Sequence, residues 1–429
     1  MKRILNIIIA LVAFAVIVPS YTANAAQRSS KKVVKTGIDV LESNGFKQLQ
    51  GKKIGLVTNP SGVNNKLVST VDILANAPGV ELVALYGPEH GVRGDIHAGD
   101  KVSDDVDPKT GVPVYSLYGK TRKPTPEMLK DVDAIVYDIQ DNGCRSFTFI
   151  STLGLLMEAA AENGKEVIVL DRPNPLGGNK VEGNIVEAGN FSFVSQFEIP
   201  YLYGLTVGEL AKMLNEEGML KGEKGKNEKV VKCNLTVVPM EGWKRDMVYT
   251  DTRLPWVLPS PHMPQAETSY YYPATGILGE LGYMSIGVGY TLPFQMVAAQ
   301  WINAAEFADA LNALALPGVT FRPINIKPFY SVGKGENMGG VQIYITDYAK
   351  AHLTSIQFYI MQEVARMYPE HEVMANADNG RFRMFDLVSG SNFIREKFTE
   401  TKQYKDIEAY WNKDVESFKQ KSAKYHLYK

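Results

Sequence analysis

The chain reads as an α/β protein: a Rossmann-like, mostly parallel sheet with helices on both faces, followed by a smaller C-terminal α+β domain. Three observations predict this. Short, nearly continuous apolar runs alternate with helical segments, the pattern of strands buried on both faces. Gly, Pro or Asn clusters end the runs abruptly. Beyond the Pro-rich segment 254–264 the rhythm changes to longer helices and alternating strands.

In chain order, Lys53–Thr58 is a strand stopped by Asn59-Pro-Ser-Gly62, and Ser69–Ala77 a helix. Strands at Glu81–Tyr86, Val112–Tyr118 and Val132–Asp138 follow. A helix over Thr148–Asn163, ended by Gly164, leads into the strand Glu166–Asp171. Thr206 and Glu209 form a capping box for a helix to Glu217, and Leu235–Pro239 is one more strand. Leu254–Pro264 reads as a linker or crossing segment, followed by Tyr270-Tyr-Tyr-Pro273 and the Gly-rich run Gly276–Gly289. The last part holds helices at Ala304–Ala315, Leu353–Met367 and Asp406–Tyr425, with strands at Phe321–Pro328 and Gly340–Thr346.

Residues 1–25 read as a signal peptide: Lys2 and Arg3, an apolar stretch Ile7–Val18, then Ala23-Asn24-Ala25. The predicted organisation is thus a leader, a catalytic domain over 26–258 and a closing domain over 259–429, in an exported protein, periplasmic or extracellular. Net charge is −1, and loss of Lys2 and Arg3 from 46 basic residues leaves 44 against 47 acidic ones, a balance that suggests no nucleic-acid partner. The apolar stretch is short for a membrane span, so no stable insertion is expected after cleavage. Cys144 and Cys233 are too few to staple the fold, and free buried thiols are expected. Neither G-x-G-x-x-G nor G-x-x-x-x-G-K-[ST] is present, so no nucleotide cofactor follows from the sheet, and no Cys/His spacing suggests zinc.

The chemistry gathers at three strand ends. Gly87-Pro-Glu89-His90-Gly91 with Arg93 and Asp95 follows one strand. Tyr137-Asp138-Ile-Gln140-Asp141-Asn-Gly-Cys144-Arg145 follows another, and Leu170-Asp171-Arg172-Pro-Asn174-Pro-Leu-Gly-Gly178, with Glu182 beyond, a third. Parallel strands place their carboxyl ends on one edge, so the clusters should converge on one crevice. Carboxylates, guanidinium groups and amides framed by Tyr86, Tyr115, Tyr118 and Tyr203 suit a sugar. Glu89 fits a general acid, since burial disfavours a carboxyl's charged form; its alternative is an ion pair with Arg93. Asp138 and Asp171 either act with it or cap helices. Arg145 and Arg172 either bind an anion or neutralise those aspartates. His90 reads as a hydrogen-bonded support and Asn174 as a turn-shaping side chain. Asn59, Gln140, Asp141 and Tyr203 complete the first wall. His262, Gln265, Glu267, Glu280 and Tyr283 are candidates for the second.

With these motifs in view, the chain resembles the exo-β-N-acetylmuramidases of the NamZ/YbbC-like family. The resemblance rests on Gly-Leu-Val-Thr-Asn-Pro-Ser-Gly (55–62), Tyr-Gly-Pro-Glu-His-Gly (86–91) and Tyr-Asp-Ile-Gln-Asp-Asn-Gly-Cys-Arg (137–145). Leu-Asp-Arg-Pro-Asn-Pro-Leu-Gly-Gly (170–178), Pro-Ser-Pro-His-Met-Pro (259–264) and the terminal Tyr-His-Leu-Tyr (425–428) extend it over nearly the whole mature chain. It implies release of terminal N-acetylmuramic acid from the non-reducing end of peptidoglycan fragments, with Glu89 as the acid and Asp171, Arg172 and Asn174 matching the family pattern. The second carboxylate would be Asp138, Asp171 or Glu182. The lactyl carboxylate would call for Arg93, Arg145 or Arg172. One stretch departs: where many members read Glu-Gly-Thr-Asn-x-Ser-Glu-Gly-Arg-Gly-Thr-Thr, this chain has Glu280-Leu-Gly-Tyr-Met-Ser-Ile-Gly-Val-Gly-Tyr-Thr291, with Ile286 and Val288 replacing a Glu and an Arg. Two other readings stand beside the glycosidase: a non-catalytic periplasmic saccharide-binding protein, and a metal-dependent hydrolase using His90, His97, Asp95 and Asp138.

Overall fold

Strands β1 (Lys53–Thr58), β2 (Glu81–Gly87), β3 (Asp105–Val106), β4 (Pro113–Ser116), β5 (Ala134–Asp138), β6 (Glu166–Leu170) and β9 (Asn234–Val238) form one sheet in the order β3-β4-β2-β1-β5-β6-β9. All neighbours are parallel except β3 and β4. The structure is a computed structural model that describes residues 32–94, 105–222 and 229–429. The predicted leader, Asp95 and His97 lie outside the described residues.

Two-residue alternation distributes the apolar runs to two cores. Ile54, Leu56, Ala134, Val136, Ile168 and Leu170 face one side, where the helices Gly37–Ser43 and Thr70–Ala75 supply Ile38, Leu41, Val71 and Leu74. Val57, Ile135, Tyr137, Val167 and Val169 face the other, under the helices Phe149–Glu162 and Val207–Glu216. Both faces are dry, which is why the strands read as unbroken hydrophobic runs. Gly55 is the exception within β1: a Cβ there would lie 2.5 Å from the Tyr86 ring. Tyr86 itself is fully buried and donates to the Met128 carbonyl at 2.7 Å, so it belongs to the core and not to a crevice wall.

The chain runs outward from β1 through β2 to β4, then crosses back to β5 and continues through β6 to β9. The winding therefore reverses between β1 and β5, and the strand ends on either side of that point are where open α/β sheets bind ligands. A two-stranded ribbon, β7 (Val181–Glu182) with β8 (Leu202–Tyr203), follows the β6 end.

The C-terminal region is built on an antiparallel sheet, β10 (Met296–Ala299), β12 (Met338–Ile345) and β11 (Val319–Ile326) in that order, with the helix Ala304–Ala313 packed on it. It is more helical than its sequence suggests. Tyr270-Tyr-Tyr-Pro273 lies inside a helix, Thr268–Gly279, although proline removes a donor there. Tertiary contacts offset the loss. Gln357 Oε1 accepts from the Leu278 N–H at 3.0 Å, and its Nε2 donates to the Pro273 carbonyl at 3.0 Å. Helices also form at Val373–Asn376, Asn379–Ser389 and Asn392–Thr401, and the expected last helix is two, Lys405–Trp411 and Val415–Ser422. One apolar core runs from Val57 and Leu153 through Ile277, Val341 and Phe358, and Val34–Lys429 form a single compact unit.

The terminal Tyr-His-Leu-Tyr returns to the first sheet. The Tyr428 hydroxyl donates to Asp171 Oδ2 at 2.5 Å and accepts from the Met240 N–H at 2.9 Å. The Leu427 N–H donates to Glu209 Oε1 at 2.8 Å, and Glu209 also closes the predicted capping box with Thr206 and pairs with Arg245. Tyr428→Phe deprives a buried carboxylate and a buried amide of one partner each. Its unfolding free energy in denaturant should fall by about 1–3 kcal/mol; a loss below about 0.5 kcal/mol would show that the tail is not held this way.

Candidate active site

The three polar strand ends lie along one edge, as the parallel order requires, but they do not share one role. At the β5 and β6 ends the charges satisfy one another. Arg172 Nε and Nη2 reach Asp138 Oδ1 and Oδ2 at 2.5 and 2.9 Å, and Arg172 also donates to the Val63 carbonyl. Asp138 accepts from the Thr70 hydroxyl at 2.5 Å and is wholly buried. Asp171 accepts from the Thr206 hydroxyl and the Gly208 N–H, at the start of Val207–Glu216, besides Tyr428. Both aspartates therefore steady helix starts: Asp171 that of Val207–Glu216, the next helix in sequence, and Asp138 that of Thr70–Ala75, which precedes it in the chain.

Arg145 is buried and binds backbone. It donates to the carbonyls of Asn184 and Ile199 at 2.7 Å and of Val388 at 3.0 Å, and burial pushes its guanidinium down to about 10. Glu182 is equally engaged: it accepts from the Leu353 and Thr354 N–H groups and the Thr354 hydroxyl, tying the ribbon to the C-terminal region. Asn174 accepts from the Leu176 N–H and donates to the Leu205 carbonyl, shaping its turn. Arg93 turns to Asp107, at 2.8 Å, and Asp72, at 3.2 Å, and so is the ion-pair partner of those residues. Asp138, Asp171, Glu182, Arg93, Arg145 and Arg172 thus all have protein partners at the positions where the sequence suggests catalytic or substrate-binding roles.

Gln140 donates to the carbonyls of Asp141 and Pro173 at 2.8 Å, and Asp141 accepts from the Gly143 N–H at 2.8 Å and from the Tyr203 hydroxyl. Gln140 Oε1, Asp141 Oδ1 and Asn142 Nδ2 are each buried without a protein partner. Burial outweighs the Tyr203 and Gly143 hydrogen bonds and raises the Asp141 carboxyl to about 6.

The β2 end is different. Pro88–Gly91 closes a turn, with the Gly91 N–H on the Pro88 carbonyl at 3.0 Å. His90 takes the left-handed backbone conformation at φ 76°, a strain of about 1–3 kcal/mol for a non-glycine residue, and its side chain is buried. Glu89 stays half-exposed at the head of this turn. Tyr118, beyond β4, lies within the influence of Glu89: desolvation, then the Glu89 charge, raise its phenol to about 12.

The crossing segment supplies the opposite side. Asn59 Nδ2 holds the Pro259 carbonyl at 3.0 Å, while Asn59 Oδ1 accepts from Ser61, so the β1 end anchors the segment directly. Trp256 Nε1 donates to the Met263 carbonyl at 2.9 Å and folds the segment back on itself. His262 is thereby placed where His90 and Glu89 both act on it: desolvation and His90 lower its imidazole below the usual value, and Glu89 opposes them. Its Nε2 lies 2.8 Å from the Tyr330 hydroxyl.

Tyr272, on Thr268–Gly279, hydrogen-bonds to Ser146 at 3.2 Å and lies in the field of both Glu280 and Glu89. Glu280, just past the helix end, is raised by burial against the pull of Arg381. Gln265 and Glu267 are exposed, and Tyr283 faces away, bonding His371 at 3.0 Å. Glu89, His90, Tyr118, His262, Tyr272 and Glu280 thus form one electrostatically linked group, the candidate site. Tyr272 was visible in the sequence only as part of a tyrosine run, and nothing local marks Tyr330.

The architecture is a doubly wound, Rossmann-like sheet without a phosphate-binding loop, with a glutamic acid near tyrosines and histidines at one strand end, and the likeness of the chain to known proteins gives its class as glycoside hydrolase. Residues 54–267 match the N-terminal domain, and 270–428 the C-terminal domain, of exo-beta-N-acetylmuramidase NamZ; the chain belongs to that family. Peptidoglycan beta-N-acetylmuramidase NamZ of Bacillus subtilis (strain 168) is 46% identical over 402 residues, covering 94% of this chain and 93% of that protein. A crystal structure of a DUF1343 family protein from Bacteroides fragilis matches at TM-score 0.87 and 62% identity, over 92% of this chain and 99% of that one. A second such protein from the same organism matches at TM-score 0.73 and 27% identity, over 93% and 99%.

Because the folded Asp141 carboxyl, at about 6, lies above the ~4 of an unfolded aspartate, Asp141 favours the fold most below the lower value, and that contribution is lost as pH rises through 6. The stability difference between the parent and Asp141→Asn should therefore be larger at pH 4.5 than at pH 7. Thermal unfolding of both at the two pH values tests this, and a difference that grew with pH would contradict it.

Proposed function

We propose that this protein is an exo-acting β-N-acetylmuramidase that removes terminal N-acetylmuramic acid from the non-reducing end of peptidoglycan fragments, after export on the 1–25 leader to the periplasm or cell exterior. The observation that carries the reading is the state of Glu89: partly exposed at the β2 end, with Tyr118 and His262 both within the reach of its charge. Asp138, Asp171 and Glu182 are instead enclosed by protein donors. The activity of the Bacillus subtilis relative supplies the bond to be cut.

In this reading Glu89 donates its proton to the glycosidic oxygen as the bond to the anomeric carbon breaks and positive charge develops on the sugar ring. Tyr118 holds the carboxyl in place. Glu280, across Tyr272, is the carboxylate best placed to act as partner. Asp138, Asp171 and Glu182 already have their acceptors filled.

Glu89→Gln removes the proton and keeps the shape. Its kcat/KM on a chromogenic β-muramide should drop by about 10²–10⁴-fold. Retention of the parental rate would exclude Glu89 as the acid. Failure of the parent itself to release sugar would favour a saccharide-binding role.

A further inference from the structure

Resting on the muramidase reading, we propose that Phe329 and Tyr330, backed by Tyr290, form the subsite for the pyranose ring on the leaving-group side of the scissile bond. Phe329 is 67% exposed and Tyr330 49%, adjacent rings on the loop joining β11 to β12. Large aromatic rings left in water are costly unless something covers them, and the C–H face of a pyranose is a natural cover.

Their position is set by His262. The Tyr330 hydroxyl meets His262 Nε2 at 2.8 Å, and the segment carrying His262 is anchored through Pro259 to Asn59 at the β1 end. The ledge therefore begins one side chain away from the group that faces Glu89. An exo-acting enzyme encloses the terminal sugar and lets the rest of the chain pass outward, so an exposed surface next to the acid lies on the leaving-group side.

The ledge is also rigid. The Phe329 N–H donates to the Gly289 carbonyl at 2.8 Å, and the Gly335 N–H to the Pro328 carbonyl at 2.9 Å. The Tyr290 and Phe329 rings stack at 5.9 Å with 20° between their planes. Gly289 has φ 93°, and a Cβ on it would stand 1.9 Å from the Tyr330 carbonyl oxygen, so only glycine lets the two loops close on each other. Tyr290 lies in the stretch that departs from the family pattern, where Ile286 and Val288 pack against the core. A preformed aromatic ledge needs little ordering when a ligand arrives.

The test compares a muramyl-terminated tetrasaccharide with methyl β-muramide, whose aglycone is too small to reach the ledge. The quantity read is the ratio of kcat/KM for the two. In Phe329→Ala this ratio should fall about tenfold, mostly through KM for the longer substrate. Tyr330→Phe, which keeps the ring, should hold the ratio within about twofold of the parent. An unchanged ratio in Phe329→Ala overturns the subsite while leaving the muramidase reading intact. A parent inactive on both substrates overturns the reading itself.

Discussion

Asp138 and Arg172 stand at the carboxyl ends of neighbouring strands with almost no access to water, and the arrangement of the strand edge follows from their pairing. A lone buried charge at that point would cost several kcal/mol, so each must be matched in place. The match is made by two parallel hydrogen bonds, with Thr70 and the Val63 carbonyl taking further positions on the two groups. Because β1 lies beside β5 at the reversal of winding, the same contacts bring the helix Thr70–Ala75, the β1 turn and the β6 turn together. Removing either partner would leave the other unpaired, which makes the pair a constraint on the fold independent of its net contribution to stability.

The same logic extends down the edge. Arg145 is ringed by carbonyls, Arg245 by Glu209 and two carbonyls, and Glu182 by amides of the C-terminal region. These charges act as long-range rivets: Arg145 reaches Val388, and Asp171 reaches Tyr428. They join segments that are far apart in sequence but lie in one continuous core. Among the described strand-end carboxylates Glu89 differs in being partly exposed, at the strained turn of the β2 end. The crossing segment and the C-terminal region then complete the site from the other side through His262, Tyr272 and Glu280.

Strand and helix order was legible because both sheet faces are apolar, and the Gly/Pro stops are local. The capping box at Thr206 and Glu209 was equally local and is present. The helix through Pro273 was not legible, since its cost is offset by Gln357, far along the chain. The role of each strand-end charge was legible only as a pair of alternatives. Arg172 could bind an anion or neutralise Asp138, and no pattern within the motif decides which. The partner of Arg93 proved to be Asp107 and Asp72 and not Glu89, a choice made by how β3, β4 and Thr70–Ala75 come together.

By itself, the sequence determined the parallel sheet, the edge on which polar groups collect, and the Pro-Glu-His turn with its family membership. These follow from short-range periodicity and from motifs contiguous in the chain. Tertiary structure alone decided which of the collected charges were neutralised and which stayed available. It also brought Tyr118 and His262 within the influence of Glu89, and Tyr330 onto His262. Burial and pairing depend on the distance between side chains in space, and Asp171, Arg145 and Glu182 each have a partner far along the chain, in Tyr428, Val388 and Thr354.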